Sequence, residues 1–236
     1  MTSLRADRVA RLDRLDLGTF DVGPGKRLIP ISGWLITTDQ GRRLLIDTGF
    51  PADYATDERT MAEADGLDGF GRLVGFGPQH TILGALGLHG VMARDISHVL
   101  LSHSHIDHVG GLALFRDAEI ILSARERAEP RPLYHGSARP MAWPDASYRL
   151  LTKTTEICGG LRMIATPGHT PGHMSMLIKT PGQSVVLAID AINRTTEPAE
   201  GFPDAMDPTI AARSAASLFA LQRRNHAALI CGHEPL

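Results

Sequence analysis

The chain has 236 residues, 43% of them hydrophobic and 21% charged, with a net charge of -2 at pH 7. This length can bury a substantial core, and the balanced charge without a basic stripe argues against a nucleic-acid partner. Because no apolar run is long enough to span a bilayer and no apolar leader begins the chain, we expect neither membrane insertion nor secretion. Two cysteines are too few for a disulfide framework, which favours a reducing, cytoplasmic location.

The first third of the chain predicts a solvated segment, a hairpin and a long loop. Residues 5–14 mix arginine with aspartate, which is typical of a solvated segment. Residues 35–38 and 43–46 are strands on either side of a polar turn, and the second strand ends at Asp47. Residues 50–77 carry apolar side chains among acidic residues and glycines, and we expect them to shape a substrate site or to pack against a second subunit.

The middle of the chain predicts alternating helices and strands. Residues 81–91 have a helical pattern, and residues 96–101 form an apolar strand that leads into a histidine cluster. A helix from about residue 111 and a strand over residues 118–122 follow the cluster. Residues 129–144 are rich in proline and arginine and predict a surface excursion.

The last third predicts four strands and one long helix. Strands over residues 161–165 and 174–178 enclose the turn Thr-Pro-Gly-His-Thr-Pro-Gly-His. Residues 184–189 form a further strand, and residues 207–224 form a helix with an aspartate cap and a proline in its first turn. A last strand over residues 227–230 is followed by Cys-Gly-His.

The most informative stretch packs three imidazoles and one carboxylate into six positions, His103-Ser104-His105-Ile106-Asp107-His108. Imidazole nitrogen and carboxylate oxygen together suit zinc and its first-row neighbours. Surface histidines and engineered tags are the ordinary alternatives, but a tag is excluded because the cluster lies in mid-chain, after a predicted buried strand. Since α/β proteins place their sites at strand ends, the sequence predicts a metal site here.

Three distant residues extend this site, because each follows the end of a predicted strand. His169 lies in the turn after one strand, Asp190 ends another and His233 follows the last. Strand ends converge in space, so four segments can deliver seven ligands to one place. The predicted set is His103, His105 and His169 for one metal, Asp107, His108 and His233 for the other, and Asp190 as an oxygen bridge. Two divalent ions about 3.5 to 4 Å apart can share a water and polarise a substrate oxygen, which is hydrolytic chemistry.

These motifs resemble those of the metallo-β-lactamase superfamily. The cluster His-x-His-x-Asp-His, the turn that contains His169, the strand-terminal Asp190 and the final Gly-His occur in that family's order and cover most of the chain. Within the superfamily the sequence looks most like the N-acyl-homoserine lactonase group, on its compact size, on Leu-Ile-Asp-Thr-Gly at residues 45–49 and on Leu-Ala-Ile-Asp at residues 187–190.

The resemblance implies a single metallo-β-lactamase-like domain over residues 1–236, an αββα sandwich with the metal site along one edge of its two sheets. It implies two divalent ions, zinc first, with manganese, cobalt or iron also suited to the ligands. A metal-bridging hydroxide would open an N-acyl-homoserine lactone or a related lactone, the reaction of quorum quenching, and Asp107 would pass a proton to the leaving alkoxide. Asp47 would then hydrogen-bond a ligating imidazole.

Five other residues are interpreted beside an alternative. The family commonly has a tyrosine three residues after the bridging aspartate, and here Asn193 stands there as a candidate amide donor to the substrate. Phe70 and Phe76 are candidate contacts for an acyl chain, with core packing as the alternative. His173 maps onto no ligand and is expected to support its turn, and Cys231 is expected to be a buried thiol.

The C-terminus and the substrate leave alternatives open. Only three residues follow His233, so we expect this end to be truncated, or to be held by the metals or by a partner subunit, as in a homodimer. The expected partner is a small-molecule substrate, but the same hydroxide would also attack a thioester, a phosphotriester or a β-lactam. Iron at the same ligands would give a redox enzyme, and a metal-stabilised binding or nuclease-like module is a further alternative that the lack of a basic stripe disfavours.

Overall fold

The computed structural model describes residues 4–23, 27–67, 69–134 and 141–235. The strands in these ranges are β1 (Val9–Asp21), β2 (Leu28–Thr38), β3 (Arg43–Ile46), β4 (Arg72–Val74), β5 (Ile96–Leu100), β6 (Glu119–Ser123), β7 (Ser147–Leu151), β8 (Thr155–Cys158), β9 (Leu161–Ala165), β10 (Met174–Lys179), β11 (Ser184–Ile189) and β12 (Ala228–Cys231). The helices are α1 (Glu58–Asp65), α2 (Ile82–Leu88), α3 (Ile106–Val109), α4 (Ala124–Arg127), α5 (Glu197–Glu200) and α6 (Pro208–Asn225). Short 3-10 helices cover Leu4–Ala6, Ala52–Ala55, Pro78–His80, Ala93–Asp95 and Leu112–Phe115.

The strands form two mixed sheets. The larger has the order β4-β1-β2-β3-β5-β6-β7, and the smaller has the order β12-β11-β10-β9-β8. Hairpins join β1 to β2 and β2 to β3, whereas β3, β5, β6 and β7 run parallel. In the smaller sheet only β11 and β12 run parallel, and α6 makes the crossover between them. The parallel strands of each sheet therefore end on the same side, as a strand-end site requires.

The apolar residues form three layers, which explains the order of sheets and helices. Side chains alternate along β3, so that Leu45 packs on the outer face of the larger sheet and Leu44 and Ile46 pack between the sheets. Met176 and Leu187 of the smaller sheet meet them in this middle layer. The third layer lies between the smaller sheet and α6. The predicted αββα sandwich is confirmed.

No helix in the described part of the chain combines the length and the apolar character that a membrane crossing needs.

The N-terminal prediction was wrong, because residues 9–21 form β1 and not a solvated segment. The charged residues Arg11 and Asp13 form an ion pair at 2.7 Å in the first half of the strand, and Leu15 and Leu17 are buried further along it. Charged residues at both odd and even positions of the first half hid the period-2 pattern of the strand. The hairpin that follows was predicted correctly, although β2 begins seven residues before the predicted start at residue 35.

Two further predictions needed correction. The helix expected from about residue 111 is only the 3-10 helix Leu112–Phe115, and the helix that follows β5 is α3, inside the histidine cluster itself. The region of residues 50–77 is not a loop, because it contains α1 and β4, and β4 extends the larger sheet by pairing with β1. Of the predicted excursion over residues 129–144, residues 135–140 lie outside the described residues. The single domain over residues 1–236 stays a prediction.

Candidate metal centre

Four strand ends bring the predicted ligands together. His103 to His108 follow β5, His169 lies in the turn between β9 and β10, Asp190 follows β11 and His233 follows β12. A hydrogen bond from Met174 N to Ser102 O, 2.9 Å long, fastens the two sheets to each other at this edge. Gly232 allows the last approach, because a Cβ at this position would lie only 2.6 Å from the carbonyl oxygen of Ile189.

The first group of ligand atoms is made of imidazoles. His105 Nδ1 lies 3.2 Å from His103 Nε2 and 3.0 Å from His169 Nε2. All three rings are at least half-buried, and their ligand atoms fall within 4.8 Å of one another. This is the set that the sequence predicted for one metal.

The second group contains Asp107, His108 and His233. Asp107 Oδ2 lies 3.3 Å from His108 Nε2 and 3.6 Å from His233 Nε2. Asp190 stands between the two groups, since its Oδ2 is 3.3 Å from His169 Nε2 and 3.2 Å from His233 Nε2. Its Oδ1 is 3.4 Å from His108 Nε2. The structure therefore brings all seven predicted residues to one place, with the Asp190 carboxylate in contact with both groups.

Asp47 orients two of the imidazoles through hydrogen bonds, one directly and one through Ser102. Its carboxylate accepts hydrogen bonds from His108 Nδ1 at 2.9 Å and from the Ser102 backbone N–H and hydroxyl, both at 2.8 Å. The Ser102 oxygen in turn accepts from His103 Nδ1 at 3.0 Å. Both rings thereby use Nδ1 for these hydrogen bonds, which leaves Nε2 as the atom available to a metal ion. Asp47 thus lies where the sequence-based hypothesis expected a partner for a ligating imidazole.

Two other supports of the ligands were missed from the sequence. The backbone carbonyl of Pro30 accepts from His233 Nδ1 at 3.1 Å, and the buried carboxylate of Glu126 binds the loops on either side of the first group. A backbone carbonyl carries no sequence signal. Glu126 sits in the run Ala-Arg-Glu-Arg, which is typical of a solvated helix.

The charges of the centre indicate a site that requires a cation. Burial lowers the pKa of His103 and of His169 well below the ordinary value. At His233 burial acts in the same direction, but the carboxylates of Asp190 and Asp107 together outweigh it and raise the pKa to about 9. Burial is likewise outweighed at Asp107, where His108 brings the pKa down to about 2. The buried carboxylates of the centre therefore favour a positive charge next to them, on a protonated imidazole or on a metal ion.

The unpaired atoms fit a metal ion. Among the described residues, His108 Nε2 and Asp190 Oδ1 are buried and have no hydrogen-bond partner, although they face each other at 3.4 Å. Buried polar atoms are nearly always paired, so such a gap needs an explanation. A cation with nitrogen and oxygen ligands would satisfy both atoms, and zinc, manganese, cobalt and iron accept such donors.

The centre opens into a cavity of about 870 Å³. His105, Asp107, His169, Asp190 and His233 are among its lining residues. The rest of the lining is mostly apolar and includes side chains from β1, β2 and the region of residues 50–77, namely Phe20, Ile29, Ile31, Phe50, Leu67 and Phe70, but it also contains the charged residues Arg27, Arg194 and Asp204. A ligand with one polar and one apolar part would fit this division.

Of the three candidate substrate contacts, two line the cavity and one does not. Phe70 lines the cavity and is half-exposed, and its ring centroid lies 5.9 Å from that of Phe20. Phe76 is not among the lining residues, and its ring packs instead against His80 at 5.9 Å. Asn193 lines the cavity, and its Nδ2 donates to Glu197 Oε1 at 3.2 Å, while its Oδ1 has no hydrogen-bond partner among the described residues. One of the two N–H groups of the expected amide donor is therefore engaged within the chain.

His173 and the two cysteines are buried, and the C-terminal segment is bonded to the rest of the chain. His173 is buried, its Nδ1 lies 2.9 Å from Thr166 Oγ1 and its carbonyl accepts from Thr166 N, which ties the two ends of the turn together. Cys158 and Cys231 are both buried, and burial raises the pKa of these thiols to about 11 and about 12. The C-terminal segment is held by the chain itself, because His233 N donates to Asn193 O at 2.9 Å and Glu234 accepts from Thr195 N.

Comparisons with known proteins agree with this geometry. The sequence model of the metallo-beta-lactamase superfamily matches residues 27–233. The chain belongs to the metallo-β-lactamase superfamily. An N-acyl homoserine lactonase of Bacillus thuringiensis is 29% identical over 220 residues, which are 89% of this chain and 84% of the relative. An N-acyl homoserine lactonase of Bacillus cereus is 31% identical over 188 residues, 76% of this chain and 71% of the relative.

Solved structures place this member of the superfamily beside the same enzymes. An N-acyl homoserine lactone hydrolase with the product N-hexanoyl-L-homoserine bound at its catalytic metal centre superimposes with a TM-score of 0.83. The match has 26% identity and covers 96% of this chain and 94% of the other. The predicted resemblance to the lactonase group and the predicted enzyme class, a metal-dependent hydrolase, are confirmed.

Proposed function

We propose that this protein is a dinuclear lactonase that opens N-acyl-homoserine lactones or related lactones. The observation that carries the proposal is the position of the ligand cluster in a cavity that is also lined by a group of apolar side chains. A lactone ring with an acyl tail needs this combination. The lactonase relatives and the similar hydrolase with a bound acyl-homoserine product support the same substrate class.

The seven residues have the following proposed roles. His103, His105 and His169 would hold one ion, Asp107, His108 and His233 would hold the other, and Asp190 would serve both. We propose zinc, while manganese, cobalt and iron accept the same donors. When bound, two divalent ions supply hydroxide from water at neutral pH and stabilise charge on the carbonyl oxygen.

Asp107 is proposed as the residue that moves the proton. Its carboxylate lines the cavity beside His233 and is the most exposed of the ligand carboxylates, with 15% of its side chain accessible against 5% for Asp190. From this position it can take a proton from water and return it to the alkoxide oxygen as the ring opens. The aromatic wall around Phe20 and Phe50 keeps water away from the acyl side of the substrate.

Phe70→Ala should weaken hydrolysis of long-chain substrates. Loss of the ring removes apolar surface from the cavity wall, so we expect kcat/KM for a decanoyl substrate to fall about 5- to 10-fold, mostly through KM, while a butanoyl substrate changes less than about 2-fold. Steady-state kinetics with both substrates measures the difference. Phe76→Ala is the matched control, since Phe76 comes from the same region but does not line the cavity. Equal losses for both chain lengths in Phe70→Ala would contradict the assignment.

A substrate panel tests the proposed function itself. Metal-loaded protein is assayed with an acyl-homoserine lactone, a simple γ-lactone, a thioester, a β-lactam and a phosphotriester, with acid release recorded in a pH-stat where a proton is formed. We expect the acyl-homoserine lactone to have the highest kcat/KM. A higher value for any of the last three would overturn the proposal.

A homodimer and a cytoplasmic location remain predictions. The exposed apolar side chains Leu83, Leu88 and Met92, in and after α2, give a surface on which a second copy could pack. Sedimentation equilibrium should give twice the mass of the 25.5 kDa chain; a monomer at micromolar concentration would contradict the dimer.

A further inference from the structure

Glu126 is a buried carboxylate that the reaction does not use directly. It lies in α4, its residue is 1% exposed, and it is not among the residues that line the cavity. A carboxylate is buried at this depth only when its oxygens are fully hydrogen-bonded, because removal from water is costly. Its partners therefore indicate what it is for.

Among the described residues, the hydrogen bonds of its carboxylate all come from the two loops that carry the first group of imidazoles. Oε1 accepts from Ser104 N at 2.8 Å and from Ser104 Oγ at 2.6 Å, and Ser104 stands between His103 and His105. Oε2 accepts from Thr170 Oγ1 at 2.8 Å, and Thr170 follows His169. One side chain thus joins loops 66 residues apart in sequence, and both loops carry ligands of the same proposed ion.

The backbone of α4 also packs closely against the turn that contains Gly172. A Cβ on Gly172 would lie 2.3 Å from the backbone nitrogen of Glu126, so only glycine lets the second Pro-Gly-His turn rest directly on α4. This contact keeps the Glu126 carboxylate within reach of Thr170. It also gives the repeated Pro-Gly-His motif a physical reason, since its second copy carries no ligand.

The second group of ligands has different supports. His108 is held by Asp47 and His233 by the Pro30 carbonyl, and neither contacts Glu126. Asp47 also reaches His103 of the first group through Ser102, whereas the Glu126 carboxylate bonds only to the loops of the first group.

We propose that Glu126 is a positioning residue that sets the affinity of one of the two metal ions, the one held by His103, His105 and His169. The proposal rests on the proposed dinuclear function. Loss of Glu126 releases the two loops from each other, so the three imidazoles must be reassembled for each binding event and the affinity of that ion falls. The other ion keeps its ligands and its supports.

The experiment is a titration of metal-free protein with cobalt(II), followed by the visible absorption of the bound ion, with total metal per chain measured after equilibration at buffered free cobalt. The variants are Glu126→Ala, Glu126→Gln and Thr170→Val. Asp7→Ala is the matched control, because Asp7 is also a buried carboxylate that accepts a threonine hydroxyl, from Thr38 at 2.8 Å, but it lies away from the metal centre beside Arg42.

We expect wild type to bind two ions, and Glu126→Ala to bind one ion unchanged and the other about 10- to 100-fold more weakly. Glu126→Gln should recover most of the affinity, because its amide oxygen can still accept from Ser104. Thr170→Val should weaken the same ion by a smaller factor, and it serves as the deciding variant if Glu126→Ala does not fold. Asp7→Ala should lower the melting temperature without changing either affinity.

Three results would overturn the inference. If wild type binds two ions and Thr170→Val and Glu126→Ala bind them equally well, Glu126 does not position the ligands, although the proposed function stands. If both affinities fall together in every variant, Asp7→Ala included, the effect is general destabilisation. Wild-type protein that takes up no ion would overturn the proposed function as well.

Discussion

Asp190→Ala should abolish lactone hydrolysis, with kcat/KM lowered by on the order of 1000-fold, because a carboxylate that contacts both ligand groups is worth several kcal/mol of transition-state stabilisation. Asp190 Oδ2 lies within 3.3 Å of His169 and of His233, and its Oδ1 faces His108. No other described carboxylate bridges the groups in this way. Hydrolysis rates and metal content measured on the same preparation would show the loss.

Asp190→Asn separates charge from shape. The amide keeps the volume of the side chain but removes the negative charge that raises the pKa of His233. We therefore expect the variant to remain folded, with a normal circular dichroism spectrum, and to lose most of its metal. A variant that hydrolyses lactones at more than about a tenth of the wild-type rate would contradict the assignment of Asp190, since a tenfold loss is only about 1.4 kcal/mol.

Asp47→Asn should weaken metal binding by about 10- to 100-fold while costing little stability. Asn can still accept from Ser102 N through its oxygen, and it tolerates the left-handed backbone of this position, where φ is 59°. Its NH₂ group, however, would face His108 Nδ1 and donate to it. The proton of that ring would then sit on Nε2, which could no longer bind a metal.

Asp47→Ala supplies the comparison. It leaves Ser102 N and His108 Nδ1 without partners and places an alanine at positive φ, so unfolding should be easier by about 2 to 4 kcal/mol in addition to the loss of metal. Chemical denaturation and metal titration of the two variants measure the two effects separately. Metal affinity at the wild-type level in Asp47→Asn would show that the tautomer of His108 does not control binding.

The ligand residues could be predicted because strand ends and chemistry agreed. Each lies directly after a strand whose apolar run is clear in the sequence, and histidine and aspartate at such ends are uncommon enough to notice. Asp47 could be predicted for the same reason, since it ends β3.

The supports of those ligands could not be predicted from the sequence, because they depend on tertiary contacts. Glu126 looks like a surface charge in its local sequence, and only the packing of α4 on the turn at Gly172 buries it. The role of Asn193 could not be predicted for a similar reason, because its side-chain amide donates to Glu197, four residues later. Phe70 and Phe76 lie in similar local sequence. Only the pairing of β4 with β1 decides that Phe70 lines the cavity and Phe76 does not.

The fold was predictable where one face of a strand is purely apolar and not where charges share the strand. β5, β10 and β11 are buried along most of their length and are mostly apolar, with a continuous apolar run in β11. β1 lies near the edge of the larger sheet, and arginine and aspartate occur on both of its faces. Its strand character follows from pairing with β2, which local sequence does not record.

The most direct test of a dinuclear hydrolytic centre is a titration of activity with metal. Chelator-stripped protein is reconstituted with zinc from zero to three equivalents per chain, and acyl-homoserine lactone hydrolysis is measured at each point. We predict that stripped protein is inactive and that the rate rises until two ions are bound per chain and then stops. Full activity in the stripped protein, or a maximum at one ion per chain, would contradict a dinuclear hydrolytic centre.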